Sequence, residues 1–355
     1  MASRRRYYVT TRTSFYYIKK FSTISNSKQR KRRPNGHALC ENARQDPMTE
    51  TDAAAPNVVF GGTGHYGRHI VRELLARGEP VRVVSRDAER ARKALGPEVA
   101  VVEGDITSAA VIEEALSGAR AAIVAVAAMT PKLIRRRQAI ERDAVLAIFE
   151  GCATAGVSRL VYVSVYELDV AFLKANGLME MGRNHIAVEA ALSDSGLNWT
   201  VLGCSPSFEF FFTFLERKVC PGRGTRANPT IAPEDLGKVA AQAVLRDDLS
   251  GQRFRMTGPE ALSFEDAAQR VAAITGEPLK LSHIPLGLVR VVGTLALPFT
   301  PFVRFIYQGM TLHDRFPEHL AESVGEDHQR LIDTFDFTPR TFDEAAKERF
   351  ANTPV

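Results

Sequence analysis

A glycine-rich turn constrains the fold of this chain more than any other feature of its sequence. The apolar segment Asn57–Phe60 reads as a short strand, and three glycines follow it in the spacing G-x-x-G-x-x-G, where a helical pattern begins. Glycines here let the backbone turn tightly and approach a pyrophosphate closely. The first N–H groups of the helix would then face the phosphates. We therefore predict a dinucleotide site that contains Gly61, Thr63, Gly64, His65, Tyr66 and Gly67.

Strand and helix patterns alternate after this turn. The predicted strands are Asn57–Phe60, Val81–Val84, Val99–Glu103, Ala121–Val126, Arg159–Ser164 and Trp199–Leu202. The predicted helices between them are Gly64–Arg77, Asp87–Leu95, Ala109–Leu116, Pro131–Ala155 and Arg183–Ser195. Short apolar strands separated by helices are typical of a parallel sheet that is covered on both faces. The order predicts an α/β protein with a doubly wound parallel sheet, the Rossmann fold.

The end of the second strand bears on the choice of cofactor. NAD-binding proteins usually carry an acidic residue there, which binds the ribose 2′-hydroxyl. This chain has Ser85 followed by Arg86, whose guanidinium could pair with a 2′-phosphate. The pattern favours NADP(H) over NAD(H), and Asp87 reads as a helix N-cap. Asp105 and Ile106 after the third strand would lie beside the adenine or form a turn and cap, and Ala127 completes the predicted site.

The basic character of the chain comes from its N-terminal segment. Residues 1–47 carry a net charge of +10, whereas the remainder carries −5 and gives no electrostatic reason to expect nucleic-acid binding. A tail rich in Arg, Ser and Thr and poor in acids is typical of a mitochondrial transit peptide. There are two alternatives. Residues 1–47 could belong to an over-long gene model whose true start is Met48, or Lys28–Arg33 could form a basic nuclear-type patch. We expect residues 1–55 to be disordered, and the protein to be cytoplasmic, or in the mitochondrial matrix if the tail is cleaved on import.

Two further features limit the class of protein. The four cysteines, Cys40, Cys152, Cys204 and Cys220, form no C-x-x-C pair or zinc pattern, which favours a reducing compartment and predicts no metal site. The longest apolar stretch, Val291–Val303, is shorter than the roughly 20 residues of a membrane span and contains prolines, so we expect no transmembrane segment.

Several segments resemble the NmrA-like family of atypical short-chain dehydrogenases. The similarity lies in Val59–Gly67, Gly104–Asp105, Leu160–Ser164, Ser195–Leu202 and Glu234–Gly237, and continues in Gly251–Phe254 and Thr257–Ser263. The resemblance covers residues 57–280 well and 281–355 loosely. It implies one NAD(P)-binding domain over residues 56–355, with a small C-terminal substrate lobe formed mainly by residues 205–230 and 258–355.

The catalytic residues of the wider superfamily are not all present. Classical short-chain dehydrogenases use Tyr-x-x-x-Lys, in which the lysine lowers the pKa of the tyrosine. After Gly61 the chain has no such pair. His185 stands about where many NmrA-like reductases carry a lysine and could donate a proton, or it could be a packing histidine. Ser164 and Tyr166 at the end of the fifth strand would face the nicotinamide and orient the ligand.

The segment after the sixth strand departs from the family as well. It reads Leu202-Gly203-Cys204-Ser205-Pro206 where the family often has Leu-Arg-Pro, so an anchoring arginine is missing. Cys204 would line the pocket or be a buried, inert thiol. The aromatic run Phe208–Phe214 would either wall a flat substrate site or form the core of the lobe, and the apolar segment Leu281–Met310 would make short helices that cap the site.

Three functions are compatible with these residues. The first is an NADPH-dependent oxidoreductase that reduces a small apolar substrate, a carbonyl or quinone-like acceptor, because such acceptors need little acid catalysis. The second is a non-catalytic NADP(H)-binding redox sensor or regulator, which the missing Tyr-x-x-x-Lys pair favours. The third is an accessory subunit of a mitochondrial complex. The protein would be a monomer or a homodimer.

Overall fold

Seven parallel strands form the central sheet of the structure. This structure is a computed structural model that describes residues 55–296 and 298–351, so the predictions for residues 1–47 lie outside the described residues. The strands are β1 (Asn57–Phe60), β2 (Val81–Ser85), β3 (Ala100–Glu103), β4 (Ala121–Val124), β5 (Arg159–Val165), β6 (Trp199–Cys204) and β9 (Gln252–Met256). Their order is β3-β2-β1-β4-β5-β6-β9. The order reverses between β1 and β4, which is where doubly wound sheets bind their ligands.

Helices cover both faces of this sheet. They are α1 (Gly67–Ala76), α2 (Ala88–Leu95), α3 (Ala109–Leu116), α4 (Ala144–Ala155), α5 (Val170–Ala175), α6 (Met179–Ser193), α7 (Phe208–Glu216) and α8 (Pro233–Val244). One apolar layer joins α1 and α8 to the sheet through Ile70, Leu74 and Val239. The other joins α3, α4 and α6 through Ile148 and Val188. The predicted doubly wound α/β fold is confirmed.

Within the described residues, the C-terminal part adds six helices and four short strands, and some of them surround a separate apolar core. Its helices are α9 (Phe264–Thr275), α10 (Leu286–Ala296), α11 (Phe302–Asp314), α12 (Glu318–Glu322), α13 (Val324–Thr334) and α14 (Phe342–Phe350). The short strands β7 (Val219–Pro221), β8 (Asn228–Pro229), β10 (Ala261–Leu262) and β11 (Ser282–Ile284) form two small sheets. Helix α13 differs from its neighbours, because Leu331 packs in the layer that covers the main sheet.

The aromatic run of α7 lies in the core of this C-terminal part. Phe208, Phe211 and Phe212 are buried, and their rings contact Phe264 and Phe342. The alternative in which these rings form a core is therefore confirmed, and they do not wall an open site. The aromatic burial holds α7 against α9 and α14.

The element boundaries differ from the sequence prediction at several places, of which three matter most for the fold. Helix α1 begins at Gly67 because the residues before it form the tight turn. The predicted helix 131–155 is divided into a 3-10 turn at Ile134–Arg136, a π-helical turn at Ala139–Asp143 and α4. The sequence prediction missed strand β9, because Arg253 and Arg255 interrupt its apolar pattern. These two side chains pair with Glu189 and Glu167.

His313 makes the stability of the C-terminal part depend on pH. Its ring stacks on Phe210 at 4.2 Å, its Nδ1 is buried without a partner among the described residues, and burial lowers its pKa to about 4. The unfolded chain, with a histidine pKa near 6.5, therefore binds a proton before the folded one does. The contribution of His313 to the free energy of unfolding is therefore fully present above about pH 6.5 and is lost as the pH falls from 6.5 to 4. We expect a loss of about 3 kcal/mol from this group.

Urea unfolding at pH 7 and pH 4 tests this expectation. His313→Phe should show a smaller fall in the free energy of unfolding than the wild-type protein does. His319→Phe, which changes an exposed histidine on α12, should retain the wild-type pH dependence. An unchanged pH dependence in His313→Phe would contradict the assignment.

Candidate cofactor and active site

The turn between β1 and α1 has room only for glycine at two positions. Gly61 has a φ of +84°, and a Cβ built on it would lie 2.3 Å from the carbonyl oxygen of Ala125. A Cβ on Gly67 would lie 2.1 Å from the carbonyl oxygen of Gly61. The N–H of Gly64 donates to that same oxygen at 2.8 Å, which closes the turn. The glycines therefore fix the backbone of β1, the turn and α1 at the switch point of the sheet.

Backbone donors are available at this turn. Among the described residues, the N–H groups of Thr63, His65, Tyr66 and Gly67 have no hydrogen-bond acceptor. No acidic side chain stands in the first turn of α1, and no side chain caps it. Such N–H groups and the helix dipole together favour an anion. The geometry therefore fits the pyrophosphate of a dinucleotide.

The side chains of His65 and Tyr66 point away from this cradle and anchor it to the loop after β6. His65 Nε2 lies 2.9 Å from Ser207 Oγ, and the Tyr66 hydroxyl donates to the Ser205 carbonyl at 2.9 Å. Burial lowers the pKa of His65, which Glu209 opposes in part, and burial raises the pKa of Tyr66. Both residues can thus serve the cofactor through their backbone while their side chains hold the turn in place.

The end of β2 presents a cation that is not paired with an acid among the described residues. Arg86 is exposed and forms no salt bridge with a described residue. The Ser85 hydroxyl donates to the Asp87 carbonyl at 2.9 Å, and Asp87 accepts from the Arg90 N–H at 2.9 Å as the N-cap of α2. The predicted role of Asp87 is confirmed. Since the Asp87 carboxylate is engaged in the cap and Arg86 forms no salt bridge with a described residue, the Arg86 guanidinium is available to bind a phosphate.

The end of β3 holds Asp105 in a tight turn. Its carboxylate accepts from the N–H and hydroxyl of Thr107 at 3.0 and 2.9 Å and pairs with Arg136 at 3.0 Å. Partial burial raises the pKa of this carboxyl, but the Thr107 and Arg136 bonds lower it by more, so that the net shift is downward. Ile106 packs against the sheet, and Ala127 is exposed just after β4. Their contact with a cofactor stays a prediction.

Strand β5 carries Tyr162 and Ser164, and Tyr162 contacts His185. The Tyr162 hydroxyl lies 2.9 Å from His185 Nδ1, on helix α6. Burial raises the pKa of Tyr162. Burial also lowers the pKa of His185, and the negative charge of Glu141 opposes this second shift in part. The phenol therefore stays protonated and the imidazole is mainly neutral at pH 7. Ser164 Oγ and Asn184 Oδ1 are buried with no partner among the described residues, which marks this place as able to accept a ligand.

Tyr166 is directed elsewhere. Its hydroxyl donates to Asp327 on α13 at 2.8 Å, and Asp327 also contacts Arg255 at 3.5 Å. Burial and this carboxylate raise the pKa of the phenol. The structure thus joins Tyr162 to His185, and it engages Tyr166 in a separate contact between β5 and α13.

A buried ion pair supports the segment after β4, and sequence reasoning missed it. Glu141, which is 2% exposed, accepts from the Ala128 N–H at 2.9 Å and from Arg137 Nε at 2.7 Å. Asn184 also donates to it at 3.4 Å. Glu141 lies in the π-helical turn, a rare element that is frequent near functional sites. The spacing of Arg137 and Glu141 is the one signal in the sequence that could have indicated the pair.

The thiols contribute no reactive group to this site. Burial raises the pKa of Cys204 to about 12, and the same cause raises those of Cys152 and Cys220 to about 12. All three cysteines are free. The interpretation of Cys204 as an inert thiol is consistent with this environment. Within the described residues, no group of histidine, cysteine or acidic side chains could hold a metal ion.

In the part of the chain that the structure describes, no helix is both long enough and apolar enough to cross a bilayer.

The fold and the turn together define a Rossmann-fold protein that binds a nicotinamide dinucleotide. The sequence profile described as NAD(P)H-binding matches residues 61–247. The chain belongs to this NAD(P)H-binding family. Several of its relatives are reductases or oxidoreductases, and the predicted nicotinamide cofactor is confirmed.

Individual relatives agree with the family. An NAD(P)H azoreductase of Xenophilus azovorans is 26% identical over 236 residues, which cover 64% of this chain and 77% of the relative. An NmrA-like family domain-containing oxidoreductase of Aspergillus japonicus is 31% identical over 191 residues, which cover 53% and 55%. The resemblance to NmrA-like proteins is thereby confirmed.

A solved structure shows the same fold. The NADPH-dependent quinone oxidoreductase of Escherichia coli, in complex with NADPH, superimposes with a TM-score of 0.60 at 16% identity. The match covers 83% of this chain and 99% of that one. The cofactor of this neighbour is consistent with the predicted preference for NADP(H).

Proposed function

We propose that this protein is an NADPH-dependent reductase of an apolar carbonyl or quinone-like acceptor. The observation that carries the proposal is the pairing of two features at one edge of the sheet. The turn Gly61–Gly67 offers unpaired N–H groups, and at the end of β2 a serine, Ser85, takes the place of the acid that would bind a ribose hydroxyl, with Arg86 next to it. These features suit a pyrophosphate and a 2′-phosphate.

The residues of the chain bind and orient, while the cofactor, when bound, supplies the hydride. The backbone amides of the turn hold the pyrophosphate, and Arg86 selects the 2′-phosphate. The Glu141 carboxylate accepts from the N–H of Ala128 and so fixes the segment after β4, next to the switch point where the nicotinamide half would lie. The acceptor would then bind at the carboxyl end of β5.

Ser164, Asn184 and His185 form the acceptor side of the site. Ser164 Oγ has no partner and can donate to the carbonyl oxygen of a ligand, whereas Asn184 Oδ1 can only accept, from a water or from a donor group of the ligand. With Tyr162 donating to Nδ1, the neutral His185 carries its proton on Nε2 and can donate a hydrogen bond to the acceptor oxygen as that oxygen gains negative charge. A quinone-like acceptor also takes a proton from water, so His185 assists the reaction without being indispensable.

The predicted lobe of residues 205–230 and 258–355 completes the proposed site. Two of its contacts reach the cradle directly, through Ser205 and Ser207, which bind Tyr66 and His65. We assign the lobe the role of closing the acceptor side of the site. The aromatic residues of the lobe mainly form its core.

The experiment that tests the function is a titration followed by a turnover assay. NADPH and NADH are titrated into the protein by fluorescence, and NADPH oxidation is then followed with a small panel of benzoquinones and naphthoquinones. Tight binding of NADPH with turnover supports the reductase. Binding without turnover across the panel contradicts it and favours a regulator, and failure to bind either nucleotide contradicts the cofactor assignment for this chain.

Substitution of His185 tests the proposed hydrogen-bond donor. His185→Gln should lower kcat for quinone reduction by about tenfold, because a flexible amide holds the donor in place less well than the ring that Tyr162 orients. The Kd for NADPH should not change, because His185 lies on the acceptor side. His319→Gln, on the exposed side of α12, is the matched control. If His185→Gln reduces quinone at the wild-type rate, His185 is a packing residue.

A cofactor-binding regulator is the second candidate. The observation that favours it is the engagement of both tyrosines near the β5 end. Tyr162 contacts His185, and Tyr166 binds Asp327, so neither is free to act as the proton donor of a classical dehydrogenase.

A further inference from the structure

Helix α10 presents an apolar face to the outside of the molecule. Its exposed side chains recur at helical spacing, and the turn after the helix continues the series. The exposed fractions are 61% for Leu288, 53% for Val291, 47% for Val292, 72% for Leu295 and 82% for Phe299. We call these five residues the α10 apolar face. Large apolar side chains exposed together in this way mark an interaction surface.

The opposite side of α10 accounts for its attachment to the protein. Gly293 is the buried residue of the helix, and a Cβ built on it would lie 3.2 Å from the Cα of Arg304 on α11. The two helices therefore pack closely through this glycine. Since Leu288, Val291 and Leu295 lie on the other side of the helix from Gly293, the α10 apolar face is directed away from α11.

The sequence stretches that carry and adjoin this face contain cations and no carboxylates. Residues 278–313 contain no Asp or Glu, and neither do residues 115–140. The two stretches meet where the Arg135 guanidinium donates to the Phe299 carbonyl. Arg290 and Lys132 are exposed and form no salt bridge with a described residue.

One carboxylate, on α6, pairs with the helix pair α10 and α11. Glu180 on α6 lies 3.8 Å from Arg304, and the same side chain lies 3.9 Å from Arg183. Two guanidinium groups thus share one carboxylate, which leaves a local excess of positive charge. The excess is notable because residues 48–355 carry a net charge of −5.

We propose that the α10 apolar face docks on the surface of an anionic lipid bilayer. An amphipathic helix with basic surroundings lies in the interface plane, with its apolar side chains among the lipid chains and its cations at the headgroups. Helix α10 has 11 residues and is about 16 Å long, which suits a helix lying on a bilayer. This inference does not depend on the proposed reductase activity.

The charge pattern favours a lipid surface over a second copy of the chain. In a symmetric dimer the same patch would face itself, so that Arg290, Arg135 and Lys132 would approach their own counterparts. Like charges brought together in this way oppose association. An anionic headgroup layer instead pairs every one of these cations.

Vesicle flotation with the full chain tests the proposal. The vesicles contain phosphatidylcholine with 30% phosphatidylglycerol as the probe composition, or phosphatidylcholine alone, at about 0.15 M and about 0.5 M salt. The high salt matters because the basic residues 1–47 can bind the same vesicles by charge alone. The variants are Leu295→Asp with Phe299→Asp, Arg290→Glu with Lys132→Glu, and the control Leu245→Asp, which alters an exposed leucine after α8.

The expected result is a difference between the variants in the same full-length chain. Leu295→Asp with Phe299→Asp should weaken partitioning to anionic vesicles by about tenfold or more, because two large apolar side chains no longer enter the bilayer. Arg290→Glu with Lys132→Glu should weaken it at low salt, whereas Leu245→Asp should bind as the wild type does. Circular dichroism and the unfolding temperature, unchanged in each variant, show that the fold is retained.

Three outcomes would overturn the proposal. They are an absence of vesicle binding by the wild type, equal binding by the wild type and the Leu295→Asp, Phe299→Asp variant, and equal binding to vesicles with and without phosphatidylglycerol. A wild-type dimer in light scattering that the same double variant dissociates, without vesicle binding, would assign the face to a second copy instead.

Discussion

Gly67→Ala is expected to weaken NADPH binding by about a hundredfold or more, since each tenfold corresponds to about 1.4 kcal/mol. The added Cβ would meet the Gly61 carbonyl oxygen at 2.1 Å and the Gly62 Cα at 2.8 Å. Both are backbone atoms, so no side chain can move aside, and the turn itself must open. The unpaired N–H groups then no longer converge on one phosphate. Overpacking should also lower the free energy of unfolding by about 1–3 kcal/mol.

Isothermal titration with NADPH and urea unfolding measure these two effects. Gly64→Ala, whose Cβ would lie 2.9 Å from the same oxygen, should give a smaller loss and keeps the test informative if Gly67→Ala does not fold. Gly325→Ala on α13 is the control, because nothing lies within 4 Å of its Cβ. Wild-type affinity in a folded Gly67→Ala protein would show that the turn does not form the phosphate cradle.

Arg86→Ala is expected to remove the preference for NADPH. A charge-assisted bond to a phosphate contributes about 1.5–3 kcal/mol, so the Kd for NADPH should rise by roughly tenfold to a hundredfold. The Kd for NADH should stay the same, because NADH lacks the 2′-phosphate. The ratio of the two dissociation constants is therefore the quantity to measure.

Two comparisons make this measurement specific. Arg92→Ala removes the same charge from the exposed face of α2 and should alter neither constant. The NADPH affinity of the wild type should fall with added salt more steeply than that of Arg86→Ala. If both cofactors bind Arg86→Ala as they bind the wild type, Arg86 points to solvent and the choice of cofactor lies elsewhere.

Local sequence signals were sufficient for the first half of the sheet. The strand Asn57–Phe60 and the helix Ala109–Leu116 have the predicted bounds, and Asp87 caps α2. Such features depend on neighbouring residues alone, through periodicity and the hydrogen bond of a cap. The cofactor turn follows from the same kind of signal, because only glycine suits its backbone.

The candidate acceptor site depends on contacts that are distant in sequence. Ser164 and His185 could be named from their places in the pattern, but the contact of His185 with Tyr162 could not. The direction of Tyr166 toward Asp327, across 161 residues, is invisible to any local pattern. Strand β9 was missed for a related reason, since the partners that offset its arginines are on other elements.

The sequence by itself determined the Rossmann fold, the place of the cofactor turn and the absence of an acid at the end of β2. These rest on conformational limits of glycine and on the burial period of strands and helices, which each segment carries within itself. The tertiary structure alone decided that His65 and Tyr66 anchor the turn through Ser207 and Ser205 and that Glu141 supports Ala128. It also decided which apolar helix stays uncovered. Side-chain direction and burial depend on what packs against an element, and that partner is set only when the chain has folded.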